Sequence, residues 1–311
     1  FVVLVGVLNA HHQVGGVQVG NHTQGVAAVA NDGVDFGGDL HLTAQHVGDD
    51  PGFRGFRLGV FRSGSLGGRG LGTCFVQEAA EQLQNETGIP VVSIRTPSSN
   101  FIDENWYASL RLTAELTGTQ ERCEELLSYI DSCKADLKER SSGVPEEDKP
   151  SVYTGAVTFS GAHGFAGTYA NFGPFLAIDA KNVADETGER SAFEVDLEKV
   201  VEWDPDVIFL DPGNMNLVNE EYKANPDFFN ALTAVQKGEV YTMPSFNNYS
   251  TNITYCIMNA YFAGKVLYPQ QFADIDMKTK STEIMEEFLG TAFFDDMEAD
   301  GLYYGKLTLG A

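Results

Sequence analysis

The sequence predicts an α/β fold, in which short buried strands alternate with helices from residue 75 onward. Residues 193–211, FEVDLEKVVEWDPDVIFLD, contain a short amphipathic helix, an Asp-Pro break and an unbroken apolar strand. An apolar run without alternation is typical of a strand covered on both faces, as in a parallel sheet. Asp211-Pro212-Gly213 then turns the chain at the carboxyl end of that strand, which is the edge where open α/β sheets bind ligands.

The elements before this unit are a helix at 76–85, a strand at 89–94 and a helix that Asp103 caps and Gly118 ends. A longer helix is predicted over 119–140 because apolar residues recur there at spacings of three and four, which would bury one face. Those residues are Cys123, Leu126, Leu127, Ile130, Cys133 and Leu137. Polar residues 141–150, with two prolines, form a predicted linker.

Beyond the linker, the pattern predicts further strands at 152–157, 176–179 and 240–243. Helices are predicted at 225–232, 253–267 and 282–289. Three loops, 158–172, 211–217 and 244–252, follow predicted parallel strands, so we expect them to converge on one edge of the sheet.

These loops supply the candidate ligand-binding residues. They are His163, Phe165, Tyr169, Asn171, Phe172, Phe246, Asn247 and Tyr249. Aromatic faces with a few hydrogen-bonding tips suit a large, flat or metal-chelating organic ligand. Simple packing is the alternative for the tyrosines, and a hydrogen-bonded loop histidine is the alternative for His163. Ser160 and His163 also allow a hydrolase hypothesis, although the G-x-S-x-G nucleophile pattern is missing.

Charge and composition exclude several classes of protein. The formal net charge is −24, which argues against nucleic acid as a partner because phosphates require Lys and Arg. No stretch of about 20 apolar residues predicts a membrane span. The four cysteines fit no zinc spacing, and we predict neither a metal site nor a cofactor of the protein's own.

Residues 1–74 differ in composition from the remainder of the chain. They hold 17 of the 33 glycines and five of the six histidines, and they lack Glu, Lys, Ile, Met, Tyr and Trp. The segment shows no clear helical period, and its Val-Gly-Val patches are too interrupted to predict strands. Three interpretations stay open: a glycine-rich β segment, a disordered extension, and translation from the wrong frame or strand of the gene, which we favour.

Four motifs carry a family resemblance, and they occur in the same order as in the family. In chain order they are the segments 87–92, 181–184, 193–211 and 238–241, the last of which is followed by Pro244. Together they resemble the periplasmic binding proteins that deliver iron–siderophore complexes, haem or cobalamin to ABC importers. The resemblance implies two Rossmann-like lobes joined by a long helix. It assigns 75–118 to the remainder of the first lobe, 119–142 to the linker helix and 143–311 to the second ligand-binding lobe. The first lobe then looks incomplete or corrupted.

The resemblance also implies a function. The chain would be a monomeric extracytoplasmic substrate-binding protein, not an enzyme, that captures a metal chelate between its lobes. A ferric siderophore is favoured over haem and cobalamin. An export signal, not recognisable in this chain, would be needed.

The implied partners are a membrane permease and its ATPase. In the family, a glutamate on the helix before the strand of each lobe docks on the permease, and Glu198 matches that position in the second lobe. No Glu stands at the matching place upstream of residue 75. A sensor or adhesion module that reuses the same lobe is the alternative function.

Overall fold

A computed structural model describes residues 3–7, 40–44, 57–63, 81–82, 84–86, 91–95, 101–102, 104–247 and 251–310. The chain divides into two compact units. The first consists of Phe1–Pro97 and Glu104–Leu127, and the second of Ser98–Asp103 and Ser128–Ala311. The division at Leu127 falls inside the long helix that the sequence predicts.

The first unit contains a four-stranded sheet. Its strands are β1 (Val3–Val7), β2 (Leu40–Ala44), β3 (Arg57–Ser63) and β4 (Val91–Arg95), in the order β2-β3-β1-β4. Strand β1 runs parallel to β3 and β4, whereas β2 is antiparallel to β3. Strands β1, β2 and β3 lie within the segment 1–74, where none was predicted. Pairing with a distant strand supplies their hydrogen bonds, and local sequence alternation does not reveal such pairing.

Two helices follow. Helix α1 (Tyr107–Thr117) ends at Gly118, as predicted, and the φ of 75° at this glycine is left-handed. The helix begins later than predicted, after a 3₁₀ turn at Glu104–Trp106, and Asp103 lies outside the described residues. Helix α2 (Gln120–Ser141) confirms the predicted long helix. Five of its six predicted face residues are buried, and Leu126 is half-buried.

The second unit is built on a parallel sheet. Its strands are β5 (Ser151–Gly155), β7 (Lys181–Asn182), β9 (Val207–Leu210) and β10 (Val240–Thr242), in the order β10-β9-β5-β7. All three strand pairs are parallel. Strands β6 (Gly167–Tyr169) and β8 (Ala192–Glu194) form a separate antiparallel ribbon. All four residues of β9 are buried, as its unbroken apolar sequence predicts.

The helices of the second unit are mostly short. They are α3 (Gly173–Leu176), α4 (Leu197–Trp203), α5 (Met215–Ala224), α6 (Pro226–Ala231), α7 (Thr233–Lys237), α8 (Ile253–Leu267), α9 (Met277–Leu289) and α10 (Phe294–Ala299). The strand predicted at 176–179 is wrong, because Pro174 at the start of α3 favours a helix there. A short apolar run does not by itself distinguish the two conformations.

The C-terminal segment covers the outer edge of this sheet. The N–H of Thr242 donates to the Gly305 carbonyl at 2.9 Å, and the N–H of Leu307 donates to the Val240 carbonyl at 2.9 Å. Leu309 packs into the core beneath. The edge strand β10 therefore has its exposed hydrogen-bonding groups partly satisfied. Within the described ranges, no helix is both long and apolar enough to cross a membrane.

Candidate ligand-binding edge

The carboxyl ends of β5, β9 and β10 bring the three predicted loops together. The Thr158 hydroxyl, after β5, donates to Asp211 Oδ2 at 3.0 Å, and Asp211 directly follows β9. The N–H of Ser245, after β10, donates to Asp211 Oδ1 at 3.3 Å. The predicted convergence is therefore confirmed. We call the described residues of these loops, 158–172, 211–217, 244–247 and 251–252, the strand-tip edge; residues 248–250 lie outside the described residues.

Asp211 ties these loops through a buried carboxylate. Only 5% of the residue is exposed, and its Oδ1 also accepts the N–H of Gly213 at 3.0 Å. Burial raises the pKa of this carboxyl, because an ionised group loses solvation there. Hydrogen bonds from Gly213, Thr158 and Ser245 act in the opposite direction. The carboxylate is thus held by neutral donors from three separate loops.

Asn214 strengthens the connection between the first two loops. Its Nδ2 donates to the Ala156 carbonyl at 2.7 Å and lies 3.0 Å from Thr158 Oγ1. Ala156 has a left-handed φ of 56°, which is uncommon for a residue with a side chain. The chain thus turns sharply after β5 and is held in that turn by a buried amide.

The third loop is held by helix α8. The side chain of Asn259, fully buried, donates to the Pro244 carbonyl at 2.8 Å and accepts the Tyr304 hydroxyl at 2.6 Å. Sequence reasoning missed Asp211, Asn214 and Asn259 as positioning residues. The available signals were a charged residue directly after a buried strand and a lone amide inside an apolar helix.

Four predicted contact residues are buried aromatic residues. Phe165 and Tyr169 are 0% exposed, and Phe172 and Phe246 are 4% and 3% exposed. Phe172 lies 5.7 Å from Tyr169 and 5.3 Å from Phe246, measured between ring centroids. These rings pack against one another in the interior, and ligand contact by these four residues remains a prediction. Burying large apolar rings stabilises the fold strongly, which favours packing at such positions.

His163 is one of the predicted residues that stay partly accessible. Its ring stacks on Phe159 with centroids 3.7 Å apart and planes within 3°. Nε2 lies 2.7 Å from the Phe159 carbonyl, and Nδ1 lies 3.0 Å from Glu194 Oε1. Both ring nitrogens are therefore engaged away from Ser160. This arrangement does not support the Ser160–His163 hydrolase hypothesis, because the imidazole is not placed to accept the serine proton.

The two predicted amides are half-buried. The N–H of Asn171 donates to Asp185 Oδ1 at 2.6 Å, and its Nδ2 lies 3.4 Å from the Glu189 carbonyl. Burial raises the pKa of Asp185, while bonds from Asn171 and Asn182 lower it. Asn247 is also half-buried, and Tyr249 lies outside the described residues. Ligand contact by Asn171, Asn247 and Tyr249 remains a prediction.

Glu198 lies on the surface, in the first turn of α4. Its N–H is capped by Asp196 Oδ1 at 2.9 Å, so the helix start is fixed locally. Lys199 in the same turn pairs with Glu186 and Glu202. An exposed carboxylate on the surface of a helix is available to a partner, and permease docking by Glu198 remains a prediction. Among the described residues, no group of three or more His, Cys, Asp and Glu side chains could hold a metal ion.

Comparison with known proteins identifies the family. The sequence model described as "Periplasmic binding protein" matches residues 67–246, which is more than half of the chain. A comparison with curated protein sequences gave no match.

Solved structures with a similar fold include a periplasmic solute binding protein from Veillonella parvula. It has a TM-score of 0.57 and 21% identity over 73% of this chain and 67% of that one. A TroA-like periplasmic binding protein, FepB, from the same organism has a TM-score of 0.53 and 17% identity, and the match covers 76% of this chain and 70% of that one. The molybdate-bound MolA of Haemophilus influenzae has a TM-score of 0.51 and 20% identity, and the match covers 68% of this chain and 69% of that one. The resemblance inferred from the sequence is confirmed, and the chain belongs to the periplasmic binding protein family, the solute-binding proteins of ABC transporters.

Proposed function

We propose that this protein captures a metal chelate at the strand-tip edge and delivers it to an ABC importer, with a ferric siderophore favoured over haem and cobalamin. The observation that carries the proposal is the convergence of three loops on the single buried carboxylate of Asp211. Such a fixed edge presents loop groups in a constant arrangement, which lowers the ordering cost of binding.

The accessible part of the edge suits an organic ligand. Residues 160–162 are exposed at the tip of the first loop, and Ser160 and Gly161 have left-handed φ values of 50° and 138°. Beside them, the stacked rings of Phe159 and His163 provide a flat and partly apolar surface. Half-buried amides add hydrogen-bonding capacity. Aromatic faces with a small number of polar groups are typical of sites for small organic molecules.

Similar folds carry different cargo, so the choice of chelate depends on the loops. One related structure is described as a molybdate complex, and another, Helicobacter pylori CeuE, is described with Ni(II) bound. Their identities to this chain are 20% and 14%, which supports a common fold alone. We base the preference for an organic chelate on two features of the first loop: the stacked rings of Phe159 and His163, and the exposed residues 160–162.

A titration tests this function. Quenching of Trp106 and Trp203 fluorescence is measured with ferric siderophores, haem and cobalamin, and each apparent Kd is checked by calorimetry. We expect saturable binding of at least one ferric siderophore, with a Kd of about 1 μM or below. Absence of saturable binding by every chelate would remove the proposal.

A second experiment tests the partner. The chain, loaded with its chelate, is added to vesicles that contain its permease and ATPase, and uptake is measured. We expect Glu198→Lys to reduce uptake strongly while leaving chelate affinity unchanged, because a reversed charge opposes docking. Glu202→Lys on the same helix is the matched control, since Glu202 already pairs with Lys199. Equal loss in both variants would contradict a specific role for Glu198.

A further inference from the structure

The three loops of the strand-tip edge contain no Lys or Arg. Their sequences are TFSGAHGFAGTYANF at 158–172, DPGNMNL at 211–217 and PSFNNYSTN at 244–252. The single charged residue among them is Asp211. A site that binds an anion normally offers basic side chains to it. The loops therefore lack the residues that would neutralise an anionic ligand.

Among the described residues, several acidic side chains hold these loops in place. Four carboxylates hydrogen-bond to loop residues: Asp211 to Thr158 and Ser245, Glu194 to His163, Glu221 to the N–H of Phe165, and Asp185 to the N–H of Asn171. The side chain of Glu194 is 67% exposed, so its charge faces solvent beside the first loop. Several fixed negative charges around one edge produce a negative potential over it.

The contacts of Asp211 do not neutralise its charge when the carboxyl is ionised. Its partners are two backbone N–H groups, a hydroxyl and a side-chain amide, and all of them are neutral. Neutral donors stabilise a carboxylate without cancelling its charge as seen from a distance. The net charge of −24 over the whole chain acts in the same direction. An approaching polyanion would meet like charge both at long range and at contact.

We infer that the strand-tip edge selects chelates by charge and takes an uncharged or cationic metal chelate in preference to an anionic one. The inference rests on the proposed function and narrows its substrate class. Among ferric siderophores it favours hydroxamate complexes, which are neutral or cationic, over tricatecholate complexes, which are trianionic. It also disfavours haem, whose propionates are ionised at neutral pH. The physical basis is like-charge repulsion across a partly desolvated surface.

A matched pair of chelates tests the inference on the whole wild-type chain. Ferrichrome, a neutral ferric trihydroxamate, is compared with ferric enterobactin, a trianionic ferric tricatecholate, by calorimetry at about 0.05 M and about 0.5 M salt. We expect ferrichrome to bind about tenfold or more tightly at low salt, and we expect the difference to narrow at high salt because ions screen repulsion.

Each result has a distinct meaning. Equal or tighter binding of ferric enterobactin would overturn the charge inference while leaving the proposed function in place. Binding of neither chelate, nor of haem or cobalamin, would overturn the proposed function and this inference with it. Tighter binding of ferrichrome without any salt dependence would also count against charge as the cause.

A variant provides an independent check. Ala162→Lys adds a cation at the exposed tip of the first loop, and Leu289→Lys adds the same charge on α9, outside the three loops. We expect Ala162→Lys to strengthen binding of ferric enterobactin about tenfold, and Leu289→Lys to change it less than about twofold. Equal effects of the two variants would contradict a local origin of the selectivity.

Discussion

The two ends of strand β9 use the same chemistry in different surroundings. At its amino end, Asp206 accepts the Ser151 hydroxyl at 2.8 Å and is exposed. At its carboxyl end, Asp211 accepts the Thr158 hydroxyl at 3.0 Å and is buried. Water can solvate the first carboxylate, whereas the second depends on donors from the loops around it. The contact at the amino end therefore joins the starts of two strands, whereas the carboxyl end couples three loops.

This difference matches the different roles of the two ends of the strands in a parallel sheet. The amino ends of the strands have only to begin each strand in register. The carboxyl ends carry the loops that meet ligands in open α/β sheets. A buried charge with neutral donors fixes the loops there, although burial makes ionisation less favourable. Four variants or pairs of variants test this contrast.

The largest effect is expected from the packing beneath the first loop. Phe165 is fully buried, and its ring contacts those of Phe228 and Phe229. Phe165→Ala should lower the free energy of unfolding by about 3–5 kcal/mol because it leaves a cavity. Urea unfolding measures this change. Phe159→Ala, at a half-buried ring of the same loop, should lower it by about 1 kcal/mol, and equal losses would contradict the assignment of Phe165 to the core.

The two aspartates give the next largest difference. Asp211→Ala removes the acceptor for two N–H groups and a hydroxyl, and it should lower the free energy of unfolding by about 2–3 kcal/mol. Asp206→Ala at the exposed end should lower it by about 1 kcal/mol or less. Both values come from urea titrations under the same conditions. A larger loss for Asp206→Ala would reverse the comparison.

The pH dependence of stability provides a test with a smaller and more specific effect. The folded protein raises the pKa of Asp211 above its ordinary value of 3.8, so the folded state binds this proton more tightly. Stability from this group is therefore fully present below that value and declines as the pH rises through the folded pKa. Asp211→Asn has no proton to lose. Its stability relative to wild type should improve as the pH rises from about 4 to about 7. A difference that stays constant over that range would contradict the raised pKa.

The smallest effect tests coupling between loops. Thr158→Val removes one hydroxyl from Asp211 and should lower the free energy of unfolding by about 1 kcal/mol. It should also speed hydrogen exchange at the Ser245 N–H, because Thr158 and Ser245 are both bonded to Asp211. Ser151→Ala, the equivalent change at the amino end, should leave exchange at Ser245 unaltered. Unchanged exchange in Thr158→Val would mean that the loops are held independently.

The sequence predicted those elements whose signals are local. Strand β9 and helix α4 follow from an apolar run, an amphipathic pattern and an Asp-Pro break, all within the segment 193–211. Helix α2 follows from its apolar spacing. The convergence of the loops follows from a general property of parallel sheets, so it did not require knowledge of individual contacts.

The failures have a physical cause in common, because each depends on distant partners. Strand β1 is paired with β3 and β4, which lie far along the chain, and its own pattern is too weak to predict it. The burial of Phe172 and Phe246 involves packing between separate loops. Sequence alone identifies an aromatic loop, but it does not say which side of the chain faces the interior.

The unusual composition of residues 1–74 gives a prediction about the gene. The family match begins at residue 67, close to the position where the composition changes. Translation from another frame or strand remains our prediction for this segment. The nucleotide sequence tests it: another frame that encodes a first-lobe pattern upstream of residue 75 would support the prediction, and the absence of such a frame would contradict it.

Hydrogen exchange with and without bound chelate tests the central claim most directly, because it locates the site. With saturating ferrichrome, we predict slower exchange in the three loops of the strand-tip edge, and little change in the groove that Tyr129, Tyr261 and Lys280 help to line on α2, α8 and α9. Protection confined to that groove, with unchanged exchange in the loops, would contradict the account.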